Sequence, residues 1–382
     1  MTQPIGIGII GTGEISVLHA AAYQALGERV RLAAVADIDQ DRARALAGHF
    51  AIPGVYEDYQ QLLADPEVEA VSICTPSFLH VAQSVEALQA GKHVLCEKPA
   101  APNMAGLDTI AAAERSSGRV FSGVFQSRFG QGARQVKALI ERGRFGRLLL
   151  GFTQTLWMRD AAYYGVSWRG SWAQECGGAS VTQAIHGIDL LLWFMGEPSH
   201  LYAEADTLKM DIEVEDAAAM VVRFRSGALG QVLATVDCQD NRSRLEIFGA
   251  DLHAVSSEDA YQSTKEPFRL AAADAAYLEN VQREADELVP SQPPFLHLPM
   301  VEDFVAALEE GRRPLVTVDE CRRSMELVTA AYRSAMTGEP VSFPIQKTDP
   351  FYSSIPPEGM GLPGAAERRG RGSRQREPRR SS

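Results

Sequence analysis

The sequence lacks the patterns typical of zinc-binding, secreted and membrane-spanning proteins. Its five cysteines are scattered and form no C-x-x-C pair, so we expect neither a zinc centre nor a disulfide framework, and we predict no metal site. No apolar run reaches 18 residues and no basic segment opens the chain, so neither a transmembrane helix nor a signal peptide is expected. The sequence therefore predicts a cytoplasmic protein with reduced thiols that does not act at a membrane.

Positive charge is also in short supply. The net charge is −12 at pH 7, which disfavours nucleic acid as the main partner. The exception is the C-terminal end, where residues 367–382 hold seven arginines and two glutamates. Because residues 351–382 are rich in Pro, Gly, Ser and Arg, we expect a disordered basic tail. Binding of these arginines to nucleic acid or a membrane surface is the disfavoured alternative.

The opening strand of the chain, residues 5–10, runs into a glycine-rich turn. Gly11 permits a tight turn, Gly13 has no Cβ to keep a pyrophosphate away, and the small Ser16 lets the next helix lie close to the strand. The start of that helix offers free N–H groups to phosphate. An ordinary turn is the alternative. We expect the residues of this turn to contact a nucleotide: Gly11, Thr12, Gly13, Glu14 and Ile15.

The second strand pattern ends at Asp37, about 20 residues beyond the turn, where a carboxylate accepts hydrogen bonds from a ribose diol. Asp37 followed by Ile38 favours NAD as the cofactor. A 2′-phosphate would be repelled by Asp37, and the nearest compensating arginine, Arg42, lies further along the chain. NADP is therefore the less favoured alternative.

Strand and helix patterns alternate over the first third of the chain. Apolar strand patterns near 5–10, 30–36, 69–74, 92–96 and 119–124 are separated by helical patterns. This alternation predicts a doubly wound parallel sheet, hence an α/β Rossmann domain of residues 1–123. Ligands bind such sheets at the carboxyl ends of the strands.

The remaining chain has a different pattern. Strand patterns follow one another near 148–157, 200–206, 217–225, 228–237 and 243–249, with the first clear hairpin at Ser226-Gly227. We expect residues 124–350 to form an α+β domain with an open, largely antiparallel sheet. Residues 251–294 are predicted to be strand ends and loops, followed by helices near 298–310 and 319–337.

Polar residues follow the third and fourth strand patterns, where a cofactor would lie. Thr75, Pro76 and His80 come after the third strand, and Glu97 and Lys98 come after the fourth. Lys98 is the most informative, because it directly follows a buried strand and precedes a proline that fixes the backbone. The alternative is that Lys98 extends to solvent or pairs with Glu97.

A helix is predicted from Ala179 to Met195, after a Gly-Gly turn. Thr182, His186 and Asp189 are spaced by four and three residues and share one face of this helix. Spacing alone is also typical of a solvated surface. The nearby Gly-Gly turn and the tryptophans at 168 and 172 favour the wall of a cleft.

Together these motifs resemble the glucose-fructose oxidoreductase / inositol 2-dehydrogenase / rhizopine catabolism (Gfo/Idh/MocA) family over about residues 5–345. The resemblance implies NAD(P)-dependent oxidoreduction of a small sugar, cyclitol or polyol, with C-terminal helices packed near the first domain and a sheet face that builds a homodimer or homotetramer. It also implies roles for individual residues. Lys98 and His186 are expected in catalysis, and the residues expected to bind substrate are Gln126, Arg128, Trp168, Arg169, Thr182 and Asp189.

One position departs from the family pattern. Many members have Asp four residues before the catalytic histidine, where this chain has Thr182. A threonine can orient a hydroxyl but cannot act as a carboxylate, so any base role is left to His186 or Lys98. Two alternatives stay open: a dehydrogenase of cyclic dihydrodiols, and a non-catalytic NAD(P)-binding regulator with the same fold.

Overall fold

The computed structural model describes residues 3–363. The first domain is a six-stranded parallel sheet in the order β3-β2-β1-β4-β5-β6, flanked by helices. Its strands are β1 (Ile5–Ile10), β2 (Val30–Ala36), β3 (Gly54–Tyr56), β4 (Ala70–Ile73), β5 (His93–Cys96) and β6 (Phe121–Gly123). Its helices are α1 (Glu14–Ala25), α2 (Gln40–Phe50), α3 (Tyr59–Ala64), α4 (His80–Gln89) and α5 (Met104–Ser117).

This domain confirms the predicted Rossmann sheet. The strands read as continuous apolar runs because helices cover both faces of a parallel sheet; Ile7, Ile9 and Ile10 of β1, for example, are all buried. The short edge strand β3 was not predicted, since three residues carry too little pattern to stand out from a loop.

The second domain is an eight-stranded sheet in the order β13-β12-β11-β7-β10-β9-β8-β14. Its strands are β7 (Leu148–Met158), β8 (Pro198–Asp206), β9 (Ala217–Phe224), β10 (Leu229–Thr235), β11 (Asp237–Gly249), β12 (His253–Val255), β13 (Arg269–Ala271) and β14 (Val341–Ser342). β7 pairs with β10 in parallel, and the other described neighbours are antiparallel. The sheet is thus mixed and mostly antiparallel, as predicted, and the hairpin at Ser226-Gly227 is confirmed.

Helices cover one face of this second sheet. They are α6 (Gln131–Glu141), α7 (Ala161–Tyr164), α8 (Ala179–Thr182), α9 (Ile185–Met195), α10 (Ala275–Leu288), α11 (His297–Glu310) and α12 (Val318–Thr337). α9 packs under β7 and α12 under β8, while α11 contacts α1 and α12 contacts α5 and β6. The last two helices therefore join the two domains.

The opposite face of the sheet carries large exposed apolar side chains. Tyr202, Val221 and Leu229, on the adjacent strands β8, β9 and β10, are 40%, 56% and 39% exposed. Side chains alternate between the two faces of a strand, so their neighbours Leu201, Val222 and others point into the core.

Several predicted boundaries were wrong. The helix predicted over 179–195 is interrupted between α8 and α9, and the segment predicted as strand ends and loops over 251–294 contains a helix, α10, as well as the short strands β12 and β13. The ordered chain also continues past the predicted tail boundary at 351, because Phe351 and Tyr352 are buried. The rest of the predicted tail, from 364 to 382, lies outside the described residues. None of the helices within residues 3–363 has the length and apolar character required to cross a membrane.

Candidate active site

The glycine turn after β1 leaves an open space at the start of α1. Gly11 adopts φ +87°, and a Cβ there would lie 2.9 Å from the Cys74 backbone, so only glycine fits this position. Gly13 precedes α1 without a side-chain cap, and a Cβ on it would meet nothing within 4 Å. The unpaired N–H groups of α1 and this free volume fit a pyrophosphate.

Asp37 is fixed at the carboxyl end of β2, beside the same turn. Its Oδ2 accepts hydrogen bonds from Thr12 N at 2.7 Å and Thr12 Oγ1 at 2.9 Å, and its Oδ1 accepts one from Asp39 N at 2.8 Å. A carboxylate has about four lone-pair sites, so acceptor capacity remains for a ribose diol. The next residue, Ile38, is 90% exposed, as an apolar side chain against an adenine ring would be before the nucleotide binds. These residues fit a dinucleotide.

Substitution of Gly13 tests the assignment of the pyrophosphate space. Gly13→Ala should weaken NAD binding by on the order of 10-fold, because the new methyl group enters the pyrophosphate space. The apo protein should keep its melting temperature, since that methyl group meets no protein atom within 4 Å. Quenching of tryptophan fluorescence by NADH measures the Kd. The matched control is Gly48→Ala in α2, which also has open surroundings and should leave the Kd unchanged.

His80 links the ends of two strands. Its ring nitrogens lie 2.8 Å from Thr75 O and 2.7 Å from Pro99 O. The ring is buried, and burial lowers its pKa. Thr75 in turn donates to Gln83 at 2.5 Å. His80 thus holds the loops after β4 and β5 in place, and we assign it a positioning role for the predicted cofactor residues Thr75, Pro76 and Glu97.

Glu97 belongs to a buried hydrogen-bonded cluster at the base of the cleft. Its Oε1 lies 3.1 Å from His19 Nε2, and its Oε2 accepts from Lys98 N at 3.1 Å. Burial opposes ionisation of Glu97, but the hydrogen bond and charge of His19 and the charge of Lys98 outweigh burial and lower its pKa to about 2. Glu97 is therefore a carboxylate at neutral pH.

His297, at the start of α11, completes this cluster. The nearest ligand atoms of His19, Glu97 and His297 lie within 4.8 Å of one another, close enough to hold a metal ion. The sequence predicted no metal site, because these three residues are far apart in the chain. Burial and the charge of His19 lower the pKa of His297 to about 4, and its Nε2 has no hydrogen-bond partner within the described chain.

Lys98 reaches across to the second domain. Its Nζ donates a hydrogen bond to the backbone oxygen of Thr182 at 2.8 Å. Burial, followed by the positive charges of Arg169 and Arg159, lowers the pKa of Lys98, and the opposing effect of Glu97 does not cancel that shift. The amine is therefore easier to deprotonate than an ordinary lysine.

His186, at the start of α9, lies in the same region. Burial and then the charge of Lys98 lower its pKa to about 3, so the imidazole is neutral at physiological pH. Its Nε2 is 3.4 Å from Gln126 Nε2, and its Nδ1 has no partner among residues 3–363. The structure thus brings together Lys98 of the first domain and His186 of the second.

A cavity of about 370 Å³ opens beside His186. Ile15 and Leu18 of α1 form one wall, and Trp157 of β7 and Tyr261 form another. Polar side chains also line it, among them those of Gln126, Thr153, Thr155, Gln183, Ser243, Arg244 and His297. Arg244 is paired with Glu246 and Glu258. This volume and this mixture of apolar and polar groups suit a ligand of the size of one ring.

Arg128 and Asp189 do not lie at this cavity, which corrects the prediction that they bind substrate. Arg128 Nε and Nη2 donate to the two carboxylate oxygens of Asp189 at 2.7 Å each, and both side chains are buried. Glu320 and Ser324 of α12 complete the cluster at 2.6 Å and 3.1 Å. The pair is already satisfied inside the protein and joins α9 to α12.

Of the other residues predicted to bind substrate, some lie at the cavity and some lie outside it. Gln126 lines the cavity. Arg169 Nη1 lies 3.2 Å from Glu175 Oε1, and its guanidinium lies over the rings of Tyr163 and Trp168 at 3.7 Å and 4.2 Å. Trp168 therefore supports Arg169 from outside the cavity lining.

Thr182 bonds within its own turn, because its hydroxyl donates to Gly178 O at 2.8 Å. Thr182 contributes to the site through its backbone carbonyl oxygen, which accepts the hydrogen bond from Lys98 Nζ.

Some residues of the site were missed by sequence reasoning. Gln183, Tyr261 and His297 come from a helix break, a loop and a helix start, which carry no periodic signal. A signal did exist for Thr153, Thr155 and Trp157, whose period of two along β7 places all three side chains on one face.

A glycine turn that fits a pyrophosphate, a carboxylate for ribose and a lysine beside an imidazole define a dinucleotide-dependent oxidoreductase. Comparison with known proteins agrees. Residues 5–125 match the model of the oxidoreductase family with an NAD-binding Rossmann fold, and residues 133–254 match that of the GFO/IDH/MocA C-terminal domain. The chain belongs to the Gfo/Idh/MocA family of NAD-binding oxidoreductases.

Named relatives cover most of the chain. Myo-inositol 2-dehydrogenase of Thermotoga maritima is 30% identical over 252 residues, which are 64% of this chain and 70% of the relative. Levoglucosan dehydrogenase of Pseudarthrobacter phenanthrenivorans is 28% identical over 285 residues, 65% and 72% of the two chains. The solved structure of the WlbA dehydrogenase from Bordetella pertussis, in complex with NADH and UDP-GlcNAcA, matches with a TM-score of 0.80 at 28% identity, over 90% of this chain and all of the other.

Proposed function

We propose that this protein is an NAD-dependent dehydrogenase, or the matching reductase, that acts on a carbinol or ketone carbon of a sugar, cyclitol or related polyol. The observation that carries the proposal is that Lys98 of the first domain donates to the backbone oxygen of Thr182, four residues before His186, and that His186 lines a cavity of ring size. Gly11, Gly13 and Asp37 would hold the dinucleotide. Bound NAD supplies the acceptor for the hydride that leaves the carbinol carbon as it becomes a carbonyl.

Lys98 is the group that takes the hydroxyl proton. Its lowered pKa makes the free amine available, whereas His186, with a pKa of about 3, is a weak base. The sequence analysis left the base role to His186 or Lys98. The electrostatics favour His186 as a neutral imidazole that hydrogen-bonds and orients the reacting oxygen, in the tautomer that Gln126 selects.

The lining of the cavity favours a polyol over the alternatives. The amides of Gln126 and Gln183 and the hydroxyls of Thr153 and Thr155 provide hydrogen-bond partners for several substrate hydroxyls, and Trp157 provides a face for the C–H surface of a ring. A dihydrodiol would contact the apolar part of the lining, which is the larger part, but it has only two hydroxyls for these polar partners. The relatives named for inositol and levoglucosan support the same class.

A substrate screen tests this function. The holoenzyme is incubated with NAD or NADP and with neutral sugars, inositols, sugar acids and dihydrodiols, and absorbance at 340 nm is followed. We expect turnover of at least one sugar or cyclitol, with NAD preferred because Asp37 repels a 2′-phosphate. Turnover of dihydrodiols alone would replace the proposed substrate class, and NADH binding without turnover of any compound would indicate a regulator.

The homodimer or homotetramer expected from the sequence stays a proposal. Its support is the exposed apolar face at Tyr202, Val221 and Leu229, since an open sheet face of this kind commonly meets another subunit.

A further inference from the structure

Arg159, directly after β7, is held rigidly beside the cavity. Its guanidinium lies 4.9 Å from the ring of Trp157 and 5.0 Å from that of Tyr163, so it is held between two aromatic faces. Nη1 donates to Met158 O at 2.9 Å and to the hydroxyl of Tyr261 at 3.4 Å. Trp157 and Tyr261 are themselves cavity walls.

The charge of Arg159 is uncompensated within residues 3–363. No carboxylate of the described chain lies within 4.0 Å of this guanidinium, and Nε is buried without any hydrogen-bond partner. Asp160, the residue after Arg159, accepts instead from Tyr163 N at 2.9 Å, and Asp259, two residues before Tyr261, accepts from Tyr261 N at 2.9 Å. By contrast, Arg169 is paired with Glu175.

This positive charge acts on the reaction centre. The guanidinium groups of Arg159 and Arg169 both lie over the ring of Tyr163, at 5.0 Å and 3.7 Å. The hydroxyl of Tyr163 accepts a hydrogen bond at 3.0 Å from Gln183, which lines the cavity, and the charges of both arginines also lower the pKa of Lys98. Because Glu175 offsets Arg169, the excess charge comes from Arg159. A half-buried arginine without a carboxylate partner among the described residues is suited to an anion, and its planar fork matches a carboxylate in two-point contact.

We propose that Arg159 binds a carboxylate of the substrate, so that the polyol of the proposed function is a sugar acid or a carboxylated cyclitol. The cavity of about 370 Å³ has room for one such ring with its acid group. This inference rests on the proposed function, and it names which members of that substrate class the site selects.

The experiment compares wild type with Arg159→Gln, which removes the charge. Glucose, glucuronate and glucose 6-phosphate are each tested for oxidation, with NAD saturating, and for binding to the NADH-loaded enzyme by the change in NADH fluorescence. We expect glucuronate to bind wild type at least about 10-fold more tightly than glucose, and Arg159→Gln to weaken glucuronate binding by about 10- to 100-fold while glucose binding changes less than about 3-fold.

The matched control is Arg134→Gln. Arg134 of α6 also has no carboxylate of the described residues within 4.0 Å, but no residue of α6 lines the cavity. It should leave the glucuronate-to-glucose ratio unchanged.

Equal binding of glucuronate to wild type and Arg159→Gln would overturn the inference, and so would tighter binding of the phosphate ester than of the carboxylate. Oxidation of neutral sugars without any preference for acids would also overturn it, yet would leave the proposed function intact. Failure of the proposed function gives a different result, since every substrate would then lack turnover while the binding comparison still reports on Arg159.

Discussion

Replacement of Lys98 by methionine is expected to lower kcat by about 10³-fold, because general acid–base catalysis contributes factors of this size and methionine keeps the shape of the side chain without its amine. NADH should bind nearly as it does to wild type, since the turn after β1 and Asp37 are untouched. Stopped-flow kinetics at 340 nm give kcat, and NADH fluorescence gives the Kd.

The pH dependence of kcat/KM is a second test of the role of Lys98. In wild type, kcat/KM for oxidation should rise with pH through the pKa of Lys98, which lies below the ordinary 10.5. His186 should add no ionisation between pH 5 and 8, because its pKa is about 3. The rise should be absent from Lys98→Met.

The control for Lys98 is Lys92→Met. Lys92 precedes the same strand, β5, at its opposite end, and its Nζ donates to Asp65 O and Val68 O at 3.0 Å and 2.6 Å. This substitution should leave kcat within about twofold of wild type. If Lys98→Met instead retains wild-type turnover, the assignment of Lys98 to chemistry is wrong.

Asp189→Ala is expected to destabilise the protein by about 3–5 kcal/mol, because it leaves the buried guanidinium of Arg128 without its two-point partner. Urea unfolding followed by circular dichroism measures the change. Glu320→Ala should cost less, since Glu320 is partly exposed and Asp189 would remain to pair with Arg128.

The original substrate-binding prediction for Asp189 makes the opposite forecast. In that case Asp189→Ala would keep the stability of wild type and raise KM. Unfolding and steady-state kinetics on the same preparation therefore separate a structural role from a binding role.

The sequence was sufficient to predict those parts of the fold in which the residue pattern along the chain also determines where a residue lies. In the first domain, each buried strand is an apolar run, and each strand end lies at one edge of the sheet, so the strand pattern places Asp37 and Lys98 at that edge. The role of Lys98 in chemistry came from the family resemblance and stays a prediction. The glycine at 11 could be found because its positive φ and its close backbone neighbour select one residue type, and the glycine at 13 because a pyrophosphate needs the space beside it.

Contacts between distant segments could not be predicted in this way. Arg128 and Asp189 are 61 residues apart, and either side chain is plausible at a cavity wall until its partner is known. His297 reaches Glu97 from almost 200 positions later in the chain.

The break between α8 and α9 has a similarly remote cause. The buried Glu215 accepts hydrogen bonds from Gly178 N at 3.0 Å and Ser180 N at 2.8 Å, which fixes the start of the first short helix independently of the second. Residues 179–195 carry no glycine or proline at the break that would have indicated it.

The amine of Lys98 is oriented by a peptide oxygen, that of Thr182, and every amino acid possesses one. The side chain at position 182 can therefore differ, as Thr182 differs from the usual Asp, while the hydrogen bond from Lys98 to the backbone oxygen is kept. A different side chain at position 182 would therefore change the surroundings of the site and leave this hydrogen bond to Lys98 in place.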